Sequence, residues 1–163
     1  MGLDMYLSAE KYLGHYEFQR SMKDSGWREE YDLADSIIQA FPKLGEMLDK
    51  QSPTLTVGAN IGYWRKANAI HQWFVEKCQG GVDECQETYI PTERLQELKE
   101  ACYAVKADPS LAGELLPTTS GFFFGSTEYD EWYWADIDQT LEIVKKAISL
   151  AEEGWTITYH SSW

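Results

Sequence analysis

Residues 130–153 read DEWYWADIDQTLEIVKKAISLAEE and form the most regular stretch of the sequence. Apolar side chains recur there at helical spacing, so one continuous stripe runs along the stretch. Its members are Trp134, Ile137, Leu141, Val144, Ile148 and Ala151. The stripe predicts a long amphipathic helix that packs against a core, and Gly154 is placed to end it as a C-terminal cap.

Both ends of the chain alternate in the manner of strands. Residues 2–14 place Leu3, Met5 and Leu7 on one side and mostly polar side chains on the other, which predicts a half-buried strand. Residues 155–163 alternate in the same way and predict a closing strand.

The middle of the chain mixes further strands with helices. Strands are predicted at residues 53–60 and 88–91, and helices at residues 33–48, 62–78 and 92–107. Pro42 interrupts the first of these helices, Thr92 is placed to cap the last, and Asp108-Pro109 stops it. Residues 15–32 show no clean period, and we interpret them as a loop or as a variable insertion, which would extend over residues 15–53.

This mixture of elements predicts the fold class. Because the helices and strands do not strictly alternate, we expect a single α+β domain over residues 1–163. Its mixed or antiparallel sheet of about four or five short strands would pack with three main helices.

Composition limits the kind of partner. The 163 residues carry a net charge of −13, which opposes binding to nucleic-acid backbones. No stretch approaches the roughly 20 apolar residues of a membrane span, and the opening residues lack the features of a signal peptide. Three cysteines, Cys78, Cys85 and Cys102, fit no zinc spacing and favour a reducing compartment. We expect a cytoplasmic protein, and the sequence leaves open whether it forms a homo-oligomer.

One candidate binding surface lies in the predicted helix at residues 62–78. On a helical wheel, five side chains form a ribbon from the edge of the core face to solvent: Trp64, Arg65, Asn68, His71 and Gln72. They combine a ring for stacking, a cation and amide or imidazole donors, which are the groups that hold a planar base and an anionic phosphate. The wheel places Lys66 on the opposite flank from Arg65. In the alternative interpretation, Trp64 and His71 complete the core while Arg65 is solvated.

Two further segments are candidates to close such a pocket. Residues 121–125, GFFFG, carry Gly121 and Gly125, where a ligand can approach the backbone closely, and Ser126 adds a hydroxyl. The segment is interpreted as a buried strand or a tight turn, and its three phenylalanines are expected to pack. Near the end of the chain, Ser161 and Ser162 are expected to contact the ligand. They make a poor catalytic pair with His160, because adjacent strand residues point to opposite faces.

The remaining motifs give little support to catalysis. Six acids and no bases lie between residues 128 and 142: Glu128, Asp130, Glu131, Asp136, Asp138 and Glu142. A divalent cation is conceivable there, but the helix dipole and a pair between Glu142 and Lys146 explain the acids more simply. The sequence has no G-x-S-x-G, no H-E-x-x-H and no phosphate loop. We predict no metal, no cofactor and no catalytic residue, with His71 as the only reasonable general acid or base if the protein is an enzyme.

Four segments together resemble a family of small proteins found in bacteriophages and prophages. They are MGLDMYL at residues 1–7, YWRKANAIHQWFV at 63–75, LLPTTSGFFFGSTEYDEWYW at 115–134 and SSW at 161–163. The resemblance covers both ends and most of the chain from Gly62 onward, while residues 15–53 contribute nothing to it. It implies a phage product that acts in the cytoplasm of a bacterial host, against a host defence.

Two functions lead as hypotheses. The first is a non-catalytic binding protein that sequesters a small anionic, nucleotide-like ligand such as a defence signal. The second is a protein-directed inhibitor whose acidic surface at residues 128–142 engages a basic host defence protein. A small nucleotide-processing enzyme is a third and less favoured hypothesis.

Overall fold

Four strands form one antiparallel sheet in the computed structural model, which describes residues 2–23 and 26–163. The strands are β1 (Asp4–Gly14), β2 (Thr54–Arg65), β3 (Thr88–Tyr89) and β4 (Thr156–Ser162). They lie in the order β2-β1-β4-β3, so β1 and β4 are neighbours at the centre of the sheet. Thr88 lies opposite Tyr159 where β3 pairs with β4. The Tyr6 ring on β1 stacks on the His160 ring on β4, with ring centres 4.8 Å apart.

Seven α-helices lie within the described residues, which is more than the three main helices predicted. They are α1 (Glu17–Arg20), α2 (Gly26–Ala40), α3 (Pro42–Met47), α4 (Asn68–Cys78), α5 (Thr92–Ala107), α6 (Ala112–Leu115) and α7 (Glu131–Glu152). A 3-10 turn at Pro109–Leu111 joins α5 to α6. The predicted α+β class is confirmed. Within the described ranges, no helix combines the length and the apolar content needed to cross a membrane.

Helix α7 is the long helix that the apolar stripe predicts. Asp130 is its N-cap, and one carboxylate oxygen accepts hydrogen bonds from the N–H groups of Trp132 and Tyr133 at 3.0 and 3.2 Å. Gly154 follows the helix with φ +84°, the left-handed conformation that glycine adopts after a helix end. Ile137 and Val144 on the stripe are completely buried. The predicted helix and both of its ends are confirmed.

The chain divides into two compact units. The first contains the residues up to Ala9 together with Ala59–Trp163. Its core joins Leu3, which precedes β1, and the β1 residues Met5 and Leu7 to buried side chains of α4, α5, α7 and β4. The alternation that predicted β1 is therefore confirmed, because these three side chains are completely buried.

The second unit is Glu10–Gly58, with a small core of its own. Leu13, Ala34 and Leu55 form this core, and partly buried side chains of α2, α3 and β2 pack against it. The predicted insertion at residues 15–53 falls within this unit. That it is an insertion, and that the chain is a single domain, stay predictions.

A loop was one of the two interpretations of residues 15–32, and it is wrong for most of the described residues 15–23 and 26–32. Helix α1 lies within them and α2 begins at Gly26. In α2 only Tyr31 and Ala34 are buried, while Trp27 and Leu33 are about half exposed. Because so few residues of α2 are buried, its sequence shows no regular apolar spacing from which a helix could be predicted.

Strand β2 is longer than predicted, and the helix after it is shorter. The strand continues to Arg65, and α4 begins only at Asn68. Burial alternates as in a strand, because Gly62 and Trp64 are buried while Tyr63 and Arg65 are exposed. The predicted helix at residues 62–78 is therefore wrong before Asn68.

Two predictions about side chains at helices are also wrong. Pro91 takes the N-cap position of α5, which has no side-chain cap, so Thr92 is the first helical residue. Glu142 pairs with Lys145, at 3.2 Å, in place of Lys146. The Lys146 ammonium instead donates to the carbonyl of Ile61 on β2.

Candidate ligand-binding site

A two-residue junction, Lys66-Ala67, turns the chain from β2 into α4. Lys66 has φ +61°, in the left-handed region that residues other than glycine rarely adopt. Ala67 has φ −75° and ψ 68°, and the Asn68 N–H donates to the Lys66 carbonyl at 2.8 Å, which makes an inverse γ-turn. The Lys66 N–H donates to the Leu3 carbonyl at 2.8 Å and holds the junction to the start of β1. Backbone strain of this kind costs about 1–3 kcal/mol and concentrates at functional sites.

The Asn68 side chain fixes the GFFFG segment beside this junction. Its amide nitrogen donates to the carbonyls of Phe124 and Ser126 at 3.0 and 2.8 Å, and its oxygen accepts from the Thr119 N–H at 3.0 Å. Asn68 is buried, and both of its amide hydrogens are used. Asn68 and the segment therefore lie at one place, as predicted, but Asn68 supports the segment and does not present an open donor to a ligand.

A cavity of about 300 Å³ lies where the junction, the segment and α7 meet. Its lining consists of Arg65, Lys66, Ala67, Asn68, Ala69, Ile70, Thr118, Gly125, Ser126, Glu128, Asp130, Trp132, Tyr133, Asp136 and Ile137. The volume is at the lower end of small-molecule pockets, which run from about 300 to 1,000 Å³. The cavity therefore suits a ligand of mononucleotide size or smaller.

One wall of the cavity is positively charged. Arg65 and Lys66 line it, and neither side chain has an ion-pair partner within the described residues. The Lys66 stem passes close to Gly125, where an added Cβ would lie 3.2 Å from the Lys66 Cβ. The N–H groups of Ala69 and Ile70 belong to the first turn of α4, which has no side-chain cap. Such groups carry partial positive charge and favour an anion.

Helix α7 supplies a second wall with different chemistry. Asp136 on this wall is partly buried, and its carboxylate has no hydrogen-bond or ion-pair partner within the described residues. Burial, together with the charge of Asp130, raises the pKa of Asp136 to about 6. Trp132 lies one helical turn before Asp136, on the same side of α7, with 71% of its surface exposed. Acids with shifted pKa values in a cleft are frequent at functional sites.

Four of the ten predicted ligand-binding residues line the cavity: Arg65, Asn68, Gly125 and Ser126. The other six do not: Trp64, His71, Gln72, Gly121, Ser161 and Ser162. The predicted ribbon on one helical face does not exist, because Trp64 and Arg65 belong to β2 and not to α4. Lys66, predicted to face away from Arg65, lies with it on the cavity wall.

Trp64 and Gly121 serve packing instead. Trp64 is completely buried, and its indole N–H donates to the Thr140 hydroxyl at 2.9 Å. A Cβ atom on Gly121 would lie 2.6 Å from the Phe124 ring, so this position needs glycine for close packing within a turn. Phe122 is 96% exposed, which contradicts the expectation that all three phenylalanines pack.

His71 belongs to a buried polar network away from the cavity. Its Nδ1 lies 2.8 Å from the Tyr159 hydroxyl, and its Nε2 lies 2.9 Å from a carboxylate oxygen of Asp83. The Trp163 indole N–H donates to the other oxygen of Asp83 at 3.2 Å. Burial raises the pKa of Tyr159 well above its usual value. Because both ring nitrogens are occupied, this geometry supports the structural interpretation of His71 and opposes its use as a general acid or base.

The two C-terminal serines predicted to contact a ligand differ in their exposure to solvent. Ser161 is buried, whereas Ser162 is exposed. Gln72 on α4 donates to the Glu76 carboxylate at 2.8 Å. None of these three side chains contributes to the cavity wall.

The other cavity residues were not predicted from the sequence as ligand contacts, and Lys66, Trp132 and Asp136 are the three of them on which the proposals below depend. The sequence did contain a signal for Lys66. The strand alternation continues through Tyr63, Trp64 and Arg65, so Lys66 can be placed directly after a strand and not inside a helix. Trp132 and Asp136 are four residues apart, which places them on one side of a helix. Nothing in the sequence shows which side of α7 meets β2.

Comparisons with protein-family models, with curated proteins and with solved structures found no match. Among the residues that the structure describes, no group of three or more His, Cys, Asp or Glu side chains is arranged to hold a metal ion. The functional conclusion therefore rests on the chemistry of the cavity itself.

Proposed function

We propose that the protein binds a small anionic, nucleotide-like ligand in the cavity and holds it without turnover. The observation that carries the proposal is the wall formed by Arg65, Lys66 and the first turn of α4, which presents positive charge in a chain of net charge −13. A guanidinium matches a phosphate with two parallel hydrogen bonds, and an ammonium adds a point charge. First-turn N–H groups complete an anion site of the kind found at helix N-termini.

Asp136 lines the cavity with a pKa of about 6, and we assign it to ligand binding and not to proton transfer. Neither histidine nor cysteine occurs among the residues that line it, and His71 is occupied elsewhere. In the setting implied by the resemblance to phage proteins, the protein sequesters a nucleotide signal of a host defence in the bacterial cytoplasm. Sequestration requires affinity and an enclosed site, and it requires no catalytic group.

Calorimetric titration with nucleoside monophosphates tests this proposal. Arg65→Ala and Lys66→Asn should each weaken binding roughly tenfold or more, because each removes a charge-assisted contact. Asparagine is chosen at position 66 since it tolerates the left-handed backbone. Lys77→Ala, which removes an exposed cation at the far end of α4, is the matched control and should leave affinity unchanged.

Three results would contradict the proposal. They are an absence of binding by every monophosphate, an unchanged affinity in Arg65→Ala, and conversion of the bound nucleotide to a product during incubation. Chromatography of the ligand after release from the protein detects the third.

A second candidate function is favoured by one observation. Phe122 is 96% exposed in its turn, and aromatic side chains, phenylalanine included, are enriched in protein–protein interfaces. The nearby residues 128–131 include three acids. This surface suits a protein-directed inhibitor that engages a basic host protein, although Asp138 and Glu142 further along α7 already pair with Lys106 and Lys145.

A further inference from the structure

The two walls of the cavity carry opposite charges. They therefore limit the chemistry of both ends of the ligand, and not only of its anionic group. A phosphate is attracted to the wall of Arg65 and Lys66. It is repelled by the carboxylates of Asp136, Asp130 and Glu128, which line the cavity on the side of α7. The end of the ligand that reaches α7 must therefore be uncharged or cationic, and it must offer hydrogen-bond donors. This reasoning rests on the proposed function, because it assumes that an anionic group occupies the positive wall.

Trp132 and Asp136 present a combination suited to a nucleobase. They lie four residues apart on α7, and both line the cavity. The exposed face of Trp132 can stack on a planar ring, a contact that every base can make. The carboxylate of Asp136 offers two acceptor oxygens side by side and no donor while it is ionised.

Among the common bases, guanine fits those two acceptors best. Its Watson–Crick edge carries two adjacent donors, the ring N1–H and the exocyclic amino group. Adenine and cytosine place a single amino donor beside a ring acceptor, and that acceptor would face a carboxylate oxygen. Uracil offers one N–H between two carbonyl acceptors.

We propose that the ligand is a guanine mononucleotide, with its phosphate at Arg65 and Lys66, its base stacked on Trp132 and its Watson–Crick edge at Asp136. The cavity of about 300 Å³ has room for one nucleotide and not for a fully enclosed dinucleotide. With a pKa raised to about 6, Asp136 is ionised at pH 7.5 and can accept both hydrogen bonds.

Three probes separate the contributions of the phosphate, the ring and the amino group. They are guanosine 5′-monophosphate, inosine 5′-monophosphate, which lacks only the exocyclic amino group, and ribose 5-phosphate, which lacks the base. Titrated into the full chain at pH 7.5, the guanine nucleotide should bind roughly tenfold or more tightly than the inosine nucleotide, because one hydrogen bond to a charged acceptor is lost. Ribose 5-phosphate should bind most weakly.

The variant Asp136→Asn tests whether Asp136 causes the preference for the guanine nucleotide over the inosine nucleotide. An amide offers one acceptor and one donor, which matches adenine in place of guanine. The variant should lose the preference for guanine over inosine and gain affinity for adenosine 5′-monophosphate relative to the guanine nucleotide. Asp138→Asn on the same helix is the control, since Asp138 does not line the cavity and pairs with Lys106; it should keep the wild-type order.

The possible outcomes distinguish this inference from the function on which it rests. Equal binding of all three probes by the wild type, or an unchanged preference in Asp136→Asn, overturns the assignment of guanine while leaving an anion site intact. If none of the three probes binds, or if Arg65→Ala binds all of them as the wild type does, both proposals are wrong. A wild-type preference for guanine that vanishes only in Asp136→Asn supports both.

Discussion

A partly buried carboxylate without a partner, such as that of Asp136, works against folding at neutral pH. Burial and Asp130 raise its pKa from 3.8 to about 6, so the folded chain binds this proton more tightly than the unfolded chain does. The stabilisation that results is complete below about pH 4 and is lost as the pH rises through 6. At pH 7 the ionised group therefore opposes folding. A shift of this size corresponds to about 3 kcal/mol for a shielded group, and we discount it to about 1 kcal/mol because the side chain is partly exposed.

Asp136→Asn should consequently stabilise the protein at pH 7 and leave its stability unchanged near pH 4. The expected rise in Tm at pH 7 is about 2–4 °C, since the amide has no charge to desolvate. Thermal unfolding of variant and wild type at both pH values measures the difference. Asp138→Asn, an exposed site that loses an ion pair, should show no such gain. An equal shift at pH 4 and pH 7 would show that the effect does not come from the ionisation of Asp136.

A stability gain of this kind also bears on function. Strained residues and residues that break local rules of stability cluster at functional sites. Lys66 is a second such residue, because its left-handed backbone would favour glycine. Two unfavourable residues on the walls of one cavity are hard to explain by packing alone.

At the scale of elements, the cavity depends on how closely β2 approaches α7. A Cβ atom on Gly62 would lie 2.3 Å from Cγ2 of Ile143, so only glycine fits between strand and helix. Gln139 and Lys146 of α7 donate to the carbonyls of Tyr63 and Ile61 on β2. These contacts bring the end of β2, and Arg65 with it, to the helix that carries Asp136.

Gly62→Ala should therefore destabilise the protein by about 1–3 kcal/mol, the usual cost of overpacking a core. Chemical denaturation measures the change. Gly113→Ala is the control, because its Cβ would meet only the Tyr129 hydroxyl at an ordinary 3.6 Å. Ile143→Ala should cost less in the Gly62→Ala background than alone, since it removes the clash. Additive effects of the two substitutions would contradict a direct contact between them.

The same region shows what the sequence can and cannot predict about elements. The stripe of α7 and the alternation of β1 are long and regular, so both elements were predicted nearly to their ends. Residues 62–67 fit both a helical wheel and a strand alternation. Tertiary contacts, namely the pairing of β2 with β1 and the close approach of Gly62 to Ile143, accompany the strand in the fold and cannot be read from the sequence. Because residues 62–67 were assigned to a helix from the sequence, Lys66 was placed on the opposite side from Arg65 and Trp64 was included in the predicted ligand site. Arg65, Asn68, Gly125 and Ser126 nevertheless line the cavity, and their assignment to a ligand site stays a prediction.

At the scale of the whole molecule, the negative charge and the exposed Phe122 allow a test of the protein-directed alternative. The protein-directed alternative requires that immobilised wild-type protein retain a basic host protein at low ionic strength and release it near 0.5 M salt, where the Debye length is only a few ångströms. Phe122→Ser should abolish retention without changing Tm, since the side chain is 96% exposed. Phe41→Ser, which changes another exposed phenylalanine in the second unit, should retain the partner. If the Phe122→Ser variant still retains the partner, the surface around Phe122 is not the binding site for that protein.

The order of strands in the sheet has a consequence for how the protein is made. β4 begins 142 residues after β1 ends, yet the two are neighbours at the centre of the sheet. Closing so long a loop carries an entropic cost of roughly 4 kcal/mol. During translation β2 emerges early enough to pair with one edge of β1, but the other edge waits on the order of ten seconds until residues 156–162 have left the ribosome. A nascent chain with an open strand edge is prone to aggregation, so the newly made protein depends on a chaperone or on rapid late closure by β4.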